Sequence, residues 1–363
     1  MGKDLAINLE NLSTGYRVKG EDKVISQQLT AELHVGEMTC LLGPNGAGKS
    51  TLLRTLSAFQ PALSGKILID HRSVDSYSAK ELSKLLSVVL TDNTNIKNLT
   101  VSEVVAIGRS PYTGFWGKLN EKDKKTIEKC LQWVGITELK DRKMETLSDG
   151  EKQKVMIAKA IAQETPIIYL DEPTAYLDYP SKVSMMMLLH RLAHSLKKII
   201  FLSTHDLEHA LQIADKIWLL DSEHGLTTGI PEDLCVEGKI EEYFTRPGMT
   251  FDRDSCVFNI HHEVAREIVF QGDPSSTAFK MAAKAFLRNA IQPISRIEDA
   301  QIESTRPDIV IHVSKEGSYR LLEKGKEVLR VEKIEHILPV TNSYMVKNQI
   351  EAVRDAAQMT PFE

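Results

Sequence analysis

The sequence lacks any apolar run long enough to cross a membrane. A spanning helix needs roughly 18 or more apolar residues, and no stretch of the 363-residue chain approaches that length. The first residues, Met1-Gly2-Lys3-Asp4-Leu5, also lack the apolar core of a secretory signal peptide. We therefore expect a cytoplasmic protein, for which any membrane role must come through a partner.

Cysteine is scarce, and basic charge is not in excess. The four cysteines, Cys40, Cys130, Cys235 and Cys256, stand singly, without the CxxC pairs of a metal site or the density of a disulfide framework. We expect four reduced thiols. The net charge of -5 argues against nucleic acid as the main partner, because phosphate backbones bind to basic surfaces. A nucleotide remains possible, since a local cradle can bind it.

What is present is the pattern of an α/β protein. Short apolar runs of strand type recur at Met38–Leu42, Ile167–Leu170, Ile199–Ser203 and Ile217–Leu220, and Leu5, Ile7 and Leu9 alternate with polar residues. Helical spacing fills the chain from Val101 to Ala162. This alternation predicts a mostly parallel α/β sheet, interrupted by a helical subdomain at about residues 95–162.

A change of pattern near residues 243–248 predicts a domain boundary. Pro247 and Gly248 are typical of a linker, so we predict one domain at 1–245 and another at 250–363. Strand and helix patterns predict a small α+β second domain, with elements at Arg266–Gln271, Ser275–Asn289, Asp308–Val313, Arg320–Leu322 and Glu327–Val331. Its role is not evident, and a regulatory or dimer-stabilising tail is our interpretation.

The strongest single signal is a glycine-rich run between a strand and a helix. It fits the GxxxxGK[ST] motif, whose backbone N–H groups surround phosphates at a helix N-terminus. Lys49 is expected to reach the β- and γ-phosphates, and Ser50 to bind Mg²⁺. The predicted ATP-binding residues of this segment are Gly43, Pro44, Asn45, Gly46, Ala47, Gly48, Lys49, Ser50 and Thr51.

Two carboxylates follow the buried-strand pattern of Ile167–Leu170. Asp171 is in position to hold Mg²⁺ through water or the Ser50 hydroxyl, and Glu172 to polarise an attacking water. Two acids after a strand are common on their own, so this interpretation depends on the phosphate-binding run upstream. Together the two motifs predict nucleoside-triphosphate hydrolysis.

Residues 147–151 read Leu-Ser-Asp-Gly-Glu and open an amphipathic helix shortly before the acidic pair. In this order of motifs the chain resembles the ABC ATPase family, whose signature loop reads LSGGQ. Asp149 and Glu151 depart from that spelling. The resemblance covers roughly residues 1–240 and implies a P-loop NTPase fold, a RecA-like core with a helical signature subdomain.

Three further residues fall in the order that the family places them. Tyr16 is similar to the aromatic residue that stacks on adenine, and Asp178 to an aspartate that reaches across the dimer. His205 resembles the switch histidine that contacts the γ-phosphate and joins Lys49 and Glu172 as a catalytic residue.

The resemblance also implies how the protein works. Two copies pack head to tail, so that each ATP lies between one subunit's phosphate-binding run and the other's Ser148 and Gly150. ATP closes the homodimer and hydrolysis reopens it, because the γ-phosphate adds contacts across the interface that ADP cannot make.

One residue departs from the family's metal site. Where the family has a glutamine that binds Mg²⁺ and faces the membrane partner, this chain has Thr91. A hydroxyl can also meet a metal or its water, so we retain Thr91 as a metal-site residue and expect altered coupling.

The stretch 99–112, which includes Gly108-Arg109-Ser110-Pro111-Tyr112, resembles the importers of iron–siderophore complexes, haem and cobalamin. This branch implies membrane permease subunits and, through them, a periplasmic or surface substrate-binding protein. The chain would then lie peripherally on the cytoplasmic side of the inner membrane. The alternative is a soluble ABC-type ATPase that acts on nucleic acid or ribosomes without a permease, although such proteins usually carry a coiled-coil insertion or two cassettes.

Overall fold

The computed structural model describes residues 6–18, 20–90, 96–114, 117–296 and 309–345. Thr91, and with it the expectation of a metal-site hydroxyl, lies outside these residues. The chain divides into two compact units, Met1–Asn259 and Ile260–Glu363.

The first unit alternates strands and helices along most of its length. Its strands are β1 (Ala6–Val18), β2 (Glu21–His34), β3 (Met38–Leu42), β4 (Ser64–Ile69), β5 (Arg72–Ser73), β6 (Leu86–Val89), β7 (Ile167–Asp171), β8 (Ile199–Ser203), β9 (Lys216–Asp221), β10 (Gly225–Gly229), β11 (Met249–Asp252) and β12 (Val257–Ile260). Its helices are α1 (Lys49–Leu56), α2 (Ala79–Leu85), α3 (Val101–Ile107), α4 (Glu121–Val134), α5 (Asp149–Ala162), α6 (Tyr179–Leu196), α7 (Leu207–Ile213), α8 (Pro231–Val236) and α9 (Lys239–Phe244).

The central sheet has six strands in the order β10-β9-β3-β8-β7-β6. Strand β3 pairs in parallel with β8 and β9, and β7 pairs in parallel with β6 and β8. Every residue of β3 and β8 is buried, because parallel strands are covered on both faces. The carboxyl ends of these strands therefore meet at one edge of the sheet, where ligands bind in open α/β folds.

A second sheet covers one face of the central sheet. It is antiparallel, in the order β2-β1-β4-β5. Its apolar side chains, such as Leu12 and Leu29, share a core with Leu52 of α1 and with Tyr169 and Trp218 of the central sheet. Burial of this core against α1 fixes the start of that helix below the end of β3.

The helical subdomain predicted between the strands comprises α3, α4 and α5. A buried arginine joins all three parts: Arg109, 2% exposed, follows α3 and donates through Nε to Asp123 Oδ1 of α4 at 2.9 Å. Its Nη1 donates to the Ala162 carbonyl at the end of α5 at 2.6 Å and to Glu164 at 2.7 Å. Such a buried charge is stable only when its donors are paired, so Arg109 fixes these helices together.

The second unit has a five-stranded sheet, a helix between two of its strands, and a further helical segment over residues 334–345 at the end of the described part of the chain. Strands β13 (Arg266–Gly272), β14 (Ile291–Arg296), β15 (Ile309–Val313), β16 (Tyr319–Glu323) and β17 (Lys326–Val331) are ordered β14-β13-β15-β16-β17, with α10 (Thr277–Leu287) between β13 and β14. The predicted fold class, a P-loop α/β core plus a small α+β domain, is confirmed. Strand β14 was not predicted, because it contains Pro293; it lies at the edge of the sheet, where proline is tolerated.

The hairpin β11–β12 follows the predicted boundary at residue 245. Phe251 and Phe258 lie 4.9 Å apart between ring centroids and pack, half-buried, against the core of the first unit. The limits 1–245 and 250–363 remain a prediction, and these contacts indicate that an independent first domain includes the hairpin.

We predict that a chain ending at Asn259 is more stable than one ending at Arg246. The shorter chain loses the packing of two phenylalanines, which we expect to lower the free energy of unfolding by about 2–4 kcal/mol. Urea unfolding of both chains checks the difference. Both are expected to hydrolyse ATP, and equal unfolding midpoints would show that the hairpin contributes nothing to the first unit.

Candidate active site

The phosphate-binding run forms the turn between β3 and α1. Gly46 and Gly48 have positive φ of 83° and 95°, a conformation that glycine adopts without strain. A Cβ on Gly48 would lie 2.6 Å from Ile25, and one on Gly43 would lie 2.0 Å from the Leu220 carbonyl oxygen. At Gly43 and Gly48 the backbone lies closer to its neighbours than a side chain would allow. Glycine at these positions therefore permits the tight turn of the loop.

Lys49, the first residue of α1, has its side chain inside this turn. It is 6% exposed, and its ammonium donates to the carbonyl oxygens of Gly43 at 2.8 Å and Pro44 at 3.1 Å. Burial lowers the pKa of Lys49, while the negative charges of Glu172 and Asp171 oppose that shift. The Lys49 ammonium therefore lies inside the phosphate-binding turn and is attracted by the carboxylates of Glu172 and Asp171.

The acidic pair is held by a serine of the neighbouring strand. Ser203, at the end of β8, is fully buried, and its hydroxyl donates to Asp171 Oδ1 at 2.6 Å and accepts from the Glu172 backbone N–H at 2.9 Å. Ser50 also donates to Asp171 Oδ1, at 3.3 Å. Two strand ends and the first turn of α1 are therefore joined at one carboxylate.

Glu172 has a strained backbone and contacts the predicted switch histidine. Its φ of 46° is uncommon for a residue with a side chain, and such strain costs on the order of 1–3 kcal/mol and is concentrated at functional sites. Its Oε1 lies 2.5 Å from His205 Nε2. The structure thus brings Lys49, Asp171, Glu172 and His205 to one edge of the sheet, and their catalytic and metal-binding roles remain predictions.

Other residues at this edge were not predicted from sequence. Asp206, beside His205, pairs with Lys182 at 2.9 Å and accepts from Thr174 Oγ1 at 2.9 Å. These contacts hold the histidine loop against the segment that follows the acidic pair. Ser203 was missed as well, and its signal is a hydroxyl at the end of a fully apolar strand.

Tyr16 lies beside the phosphate-binding turn. Its hydroxyl is 2.9 Å from Thr51 Oγ1, and its side chain is 40% exposed. An aromatic ring in this place is accessible to a planar base, so stacking on adenine remains a prediction.

Ser148 and Asp178 are the N-caps of α5 and α6. The Ser148 hydroxyl accepts from the Glu151 N–H at 3.3 Å, and Glu151 Oε2 accepts from the Ser148 backbone N–H at 2.8 Å, a reciprocal capping box. Asp178 accepts from the Ser181 N–H at 3.0 Å, and hydrogen bonds from Ser181 lower its pKa. Both side chains are exposed, and their predicted roles across a dimer remain predictions.

Comparison with known proteins gives the family. Residues 26–175 match the family described as ABC transporter. An ABC transporter ATP-binding protein of Methanocaldococcus jannaschii is 39% identical over 66% of this chain and 81% of its own length. The chain belongs to the ATP-binding subunits of ABC transporters. The ferric enterobactin transport ATP-binding protein of Escherichia coli is 32% identical over 67% of this chain and 88% of its own.

Solved structures agree with this assignment. A chain of an ABC transporter assigned to the metal-chelate type, in an inward-facing conformation, has a TM-score of 0.58 at 28% identity and covers 71% of this chain and 96% of its own. A dimeric ATP-binding cassette bound to ADP and phosphate after hydrolysis has a TM-score of 0.54 at 25% identity, over 62% of this chain and 98% of its own. This subunit is an ATPase. In the described ranges, no helix combines the length and apolar character needed to cross a bilayer.

We predict that Ser203→Ala slows ATP hydrolysis about tenfold and lowers stability by about 1–3 kcal/mol. The change removes one hydrogen bond from Asp171 and leaves the buried Glu172 N–H with a single acceptor, the Ser203 carbonyl at 3.2 Å. Steady-state ATPase rates and thermal melts measure both effects. Ser222→Ala, on the exposed turn after β9, is the control. A wild-type rate in Ser203→Ala would show that this serine does not position the acidic pair.

Proposed function

We propose that this chain is the ATP-hydrolysing subunit of an ABC importer of metal chelates, such as iron–siderophore complexes, haem or cobalamin. The observation that carries the proposal is the meeting of a buried lysine, two carboxylates and a histidine at one sheet edge. The substrate class rests on similarity to proteins named for iron-chelate import, among them an iron(3+)-hydroxamate import protein of Bacillus subtilis, 35% identical over 58% of this chain and 76% of its own.

ATP would bind with its phosphates in the turn from Gly43 to Thr51. The N-terminus of α1 contributes partial positive charge and free N–H groups. Lys49 would exchange its bonds to two carbonyl oxygens for bonds to the β- and γ-phosphates, and Tyr16 would stack on the base. Because the ammonium is already desolvated, its attraction to the phosphates is strong.

The oxygens of Ser50 and Asp171 fit Mg²⁺, which prefers hydroxyl, carboxylate and phosphate oxygens. These two side chains already share a hydrogen bond of 3.3 Å, so both could hold the same ion. When bound, the ion neutralises charge on the phosphate oxygens. Thr91 stays a proposed member of this site.

Glu172 would act as the base in hydrolysis. It accepts a proton from water as the water oxygen attacks the γ-phosphorus, and the bond from that phosphorus to the bridging oxygen of ADP breaks. His205, whose Nε2 lies 2.5 Å from Glu172 Oε1, would donate to the γ-phosphate. It would thereby align the γ-phosphate with the Glu172 carboxylate. The pair thus couples the presence of a γ-phosphate to the position of the base.

A head-to-tail homodimer would complete each site. Ser148 and Gly150 open α5, so their donors can meet a partner's γ-phosphate, and Asp178 would contact the partner beside them. The unusual acids of this loop are internally paired: Asp149 lies 3.1 Å from Lys152, and Glu151 bonds to Ser148. Ser148 would have to release Glu151 to bind the phosphate. Closure of the dimer would therefore cost more free energy than it would with an uncharged loop.

We predict that Glu172→Gln binds ATP normally but hydrolyses it about 100- to 10,000-fold more slowly, the usual contribution of a general base. The amide keeps the shape of the side chain but cannot accept the proton. Single-turnover ATPase assays measure the loss, and light scattering is expected to show an ATP-bound dimer that persists.

Two other variants make this comparison specific. Lys49→Ala removes the buried cation and is expected to lose ATP binding together with hydrolysis. Glu128→Gln, at an exposed position of α4, is expected to retain wild-type turnover. Wild-type turnover in Glu172→Gln would show that another group is the base.

The importer proposal is tested by purification from native membranes of the source cell. We expect the subunit to purify with a permease, and reconstituted vesicles holding loaded substrate-binding protein are expected to stimulate its ATPase activity several-fold. Purification with ribosomes or nucleic acid, and no permease, would instead support a soluble ABC-type ATPase. Its net charge of -5 favours the permease.

A further inference from the structure

A second group of chemically reactive side chains lies away from the ATP site. His190 and His194 are one turn apart on α6, so both imidazoles project from the same face of the helix. Asp215, the residue before β9, faces them: its Oδ1 lies 3.0 Å from His194 Nε2 and 3.6 Å from His190 Nε2. The hydrolytic mechanism uses none of these three residues.

The carboxylate of Asp215 is held in place by the backbone. Its Oδ2 accepts from the Met38 N–H at 2.7 Å, and its own N–H donates to the Met38 carbonyl at 3.0 Å. Hydrogen bonds of this kind orient the ligands of metal sites. Asp215 can therefore offer Oδ1 to a ligand while Oδ2 remains bonded to β3.

We propose that His190, His194 and Asp215 bind a divalent transition-metal cation of the zinc class. Their ligand atoms all lie within 4.8 Å of one another. In a tetrahedral zinc site, with bonds near 2.0–2.2 Å, ligand atoms are separated by roughly 3.3 Å. The distances of 3.0 and 3.6 Å from Asp215 Oδ1 lie on either side of that value, and the two imidazoles lie within 4.8 Å of each other, so side-chain rotations would bring the three ligands around one cation.

The donor set selects the class of cation. Imidazole nitrogens suit zinc, copper, nickel and iron, whereas magnesium and calcium prefer oxygens. Binding would replace the hydrogen bond of His194 and the 3.6 Å contact of His190 to Asp215 with bonds from Nε2 to the cation, each neutral imidazole then carrying its proton on Nδ1. The side chains are 39%, 45% and 24% exposed, which leaves the fourth position to water and lets the cation exchange.

A bound cation would join α6 to the start of β3. The site lies at the end of β3 opposite the phosphate-binding turn, about 16 Å away for five residues at about 3.3 Å each. It is therefore separate from the ATP and Mg²⁺ site. It would stabilise the first unit by binding only the folded chain.

Titration of the full-length, untagged, reduced protein with Zn²⁺ alone, without nucleotide, tests the proposal by calorimetry. We expect one saturable zinc site in the wild type, a rise in melting temperature on binding, and at least tenfold weaker affinity in both His190→Ala and His194→Ala. Mg²⁺ and Ca²⁺ at the same concentrations are expected to give no comparable binding. Both histidines are partly exposed, so melting temperatures without metal will show that the variants fold.

Two controls separate this site from other zinc ligands. His34→Ala removes a histidine of the same exposure, 39%, that pairs with Glu32 alone among the described residues. Cys235→Ser breaks a thiol pair whose sulfurs lie 3.7 Å apart and which could also bind zinc. Both variants are expected to keep wild-type affinity at the assigned site, and Co²⁺ bound there is expected to show no thiolate charge-transfer band. Unchanged zinc affinity in both α6 variants, or loss of the site in Cys235→Ser, would overturn the proposal.

Discussion

The parallel pairing of β3, β8 and β7 is the constraint on which the active site depends. Because parallel strands end at the same edge of a sheet, the pairing brings the phosphate-binding turn after β3 next to the acids at the end of β7 and the histidine after β8. The register is specific: Asp171 pairs with Ser203, which pairs in turn with Leu41. A shift of one residue would turn Ser203 to the other face and remove the hydroxyl that holds Asp171.

That edge concentrates charges of both signs in a partly buried space. Desolvation disfavours the Lys49 ammonium, and the carboxylates of Asp171 and Glu172 partly compensate for it. A triphosphate would bring further negative charge to the lysine and also to the two acids. In the proposed site, Mg²⁺ held by the Ser50 hydroxyl and the Asp171 carboxylate would offset that repulsion.

The contiguous features of this fold could be predicted from sequence, and the non-contiguous ones could not. The run from Gly43 to Ser50 and the pair Asp171 and Glu172 carry their chemistry within a few residues, and their strands are continuous apolar runs. Most strands of the second unit were located within one or two residues for the same reason. The antiparallel sheet of β1, β2, β4 and β5 was missed except at its start, because bulges interrupt the alternation of its strands.

Contacts between residues far apart in sequence explain the other features that sequence analysis missed. Ser203 meets Asp171 across 32 residues, and nothing near it in sequence marks it as a positioning residue. Asp215 meets His194 across 21 residues and the Met38 N–H across 177, so sequence analysis did not bring the carboxylate and the two histidines together. The hairpin after residue 248 was assigned from sequence to the second domain, 250–363, because Pro247 and Gly248 precede it, whereas Phe251 and Phe258 pack against the core of the first unit.

Strand β3 connects the two chemically distinct ends of the first unit. Its first residue is bonded on both backbone groups to Asp215, and its last precedes the phosphate-binding turn. Helix α6 likewise joins the two ends of the first unit. Asp178 is its N-cap, and His190 and His194 lie near its C-terminus. A cation bound by those histidines and Asp215 would therefore fix α6 relative to β3. Closure of an ATP-bound dimer would involve both elements, through Asp178 at one end of α6 and the phosphate-binding turn after β3. A cation that fixed the opposite ends of α6 and β3 together would therefore limit how these two active-site segments move.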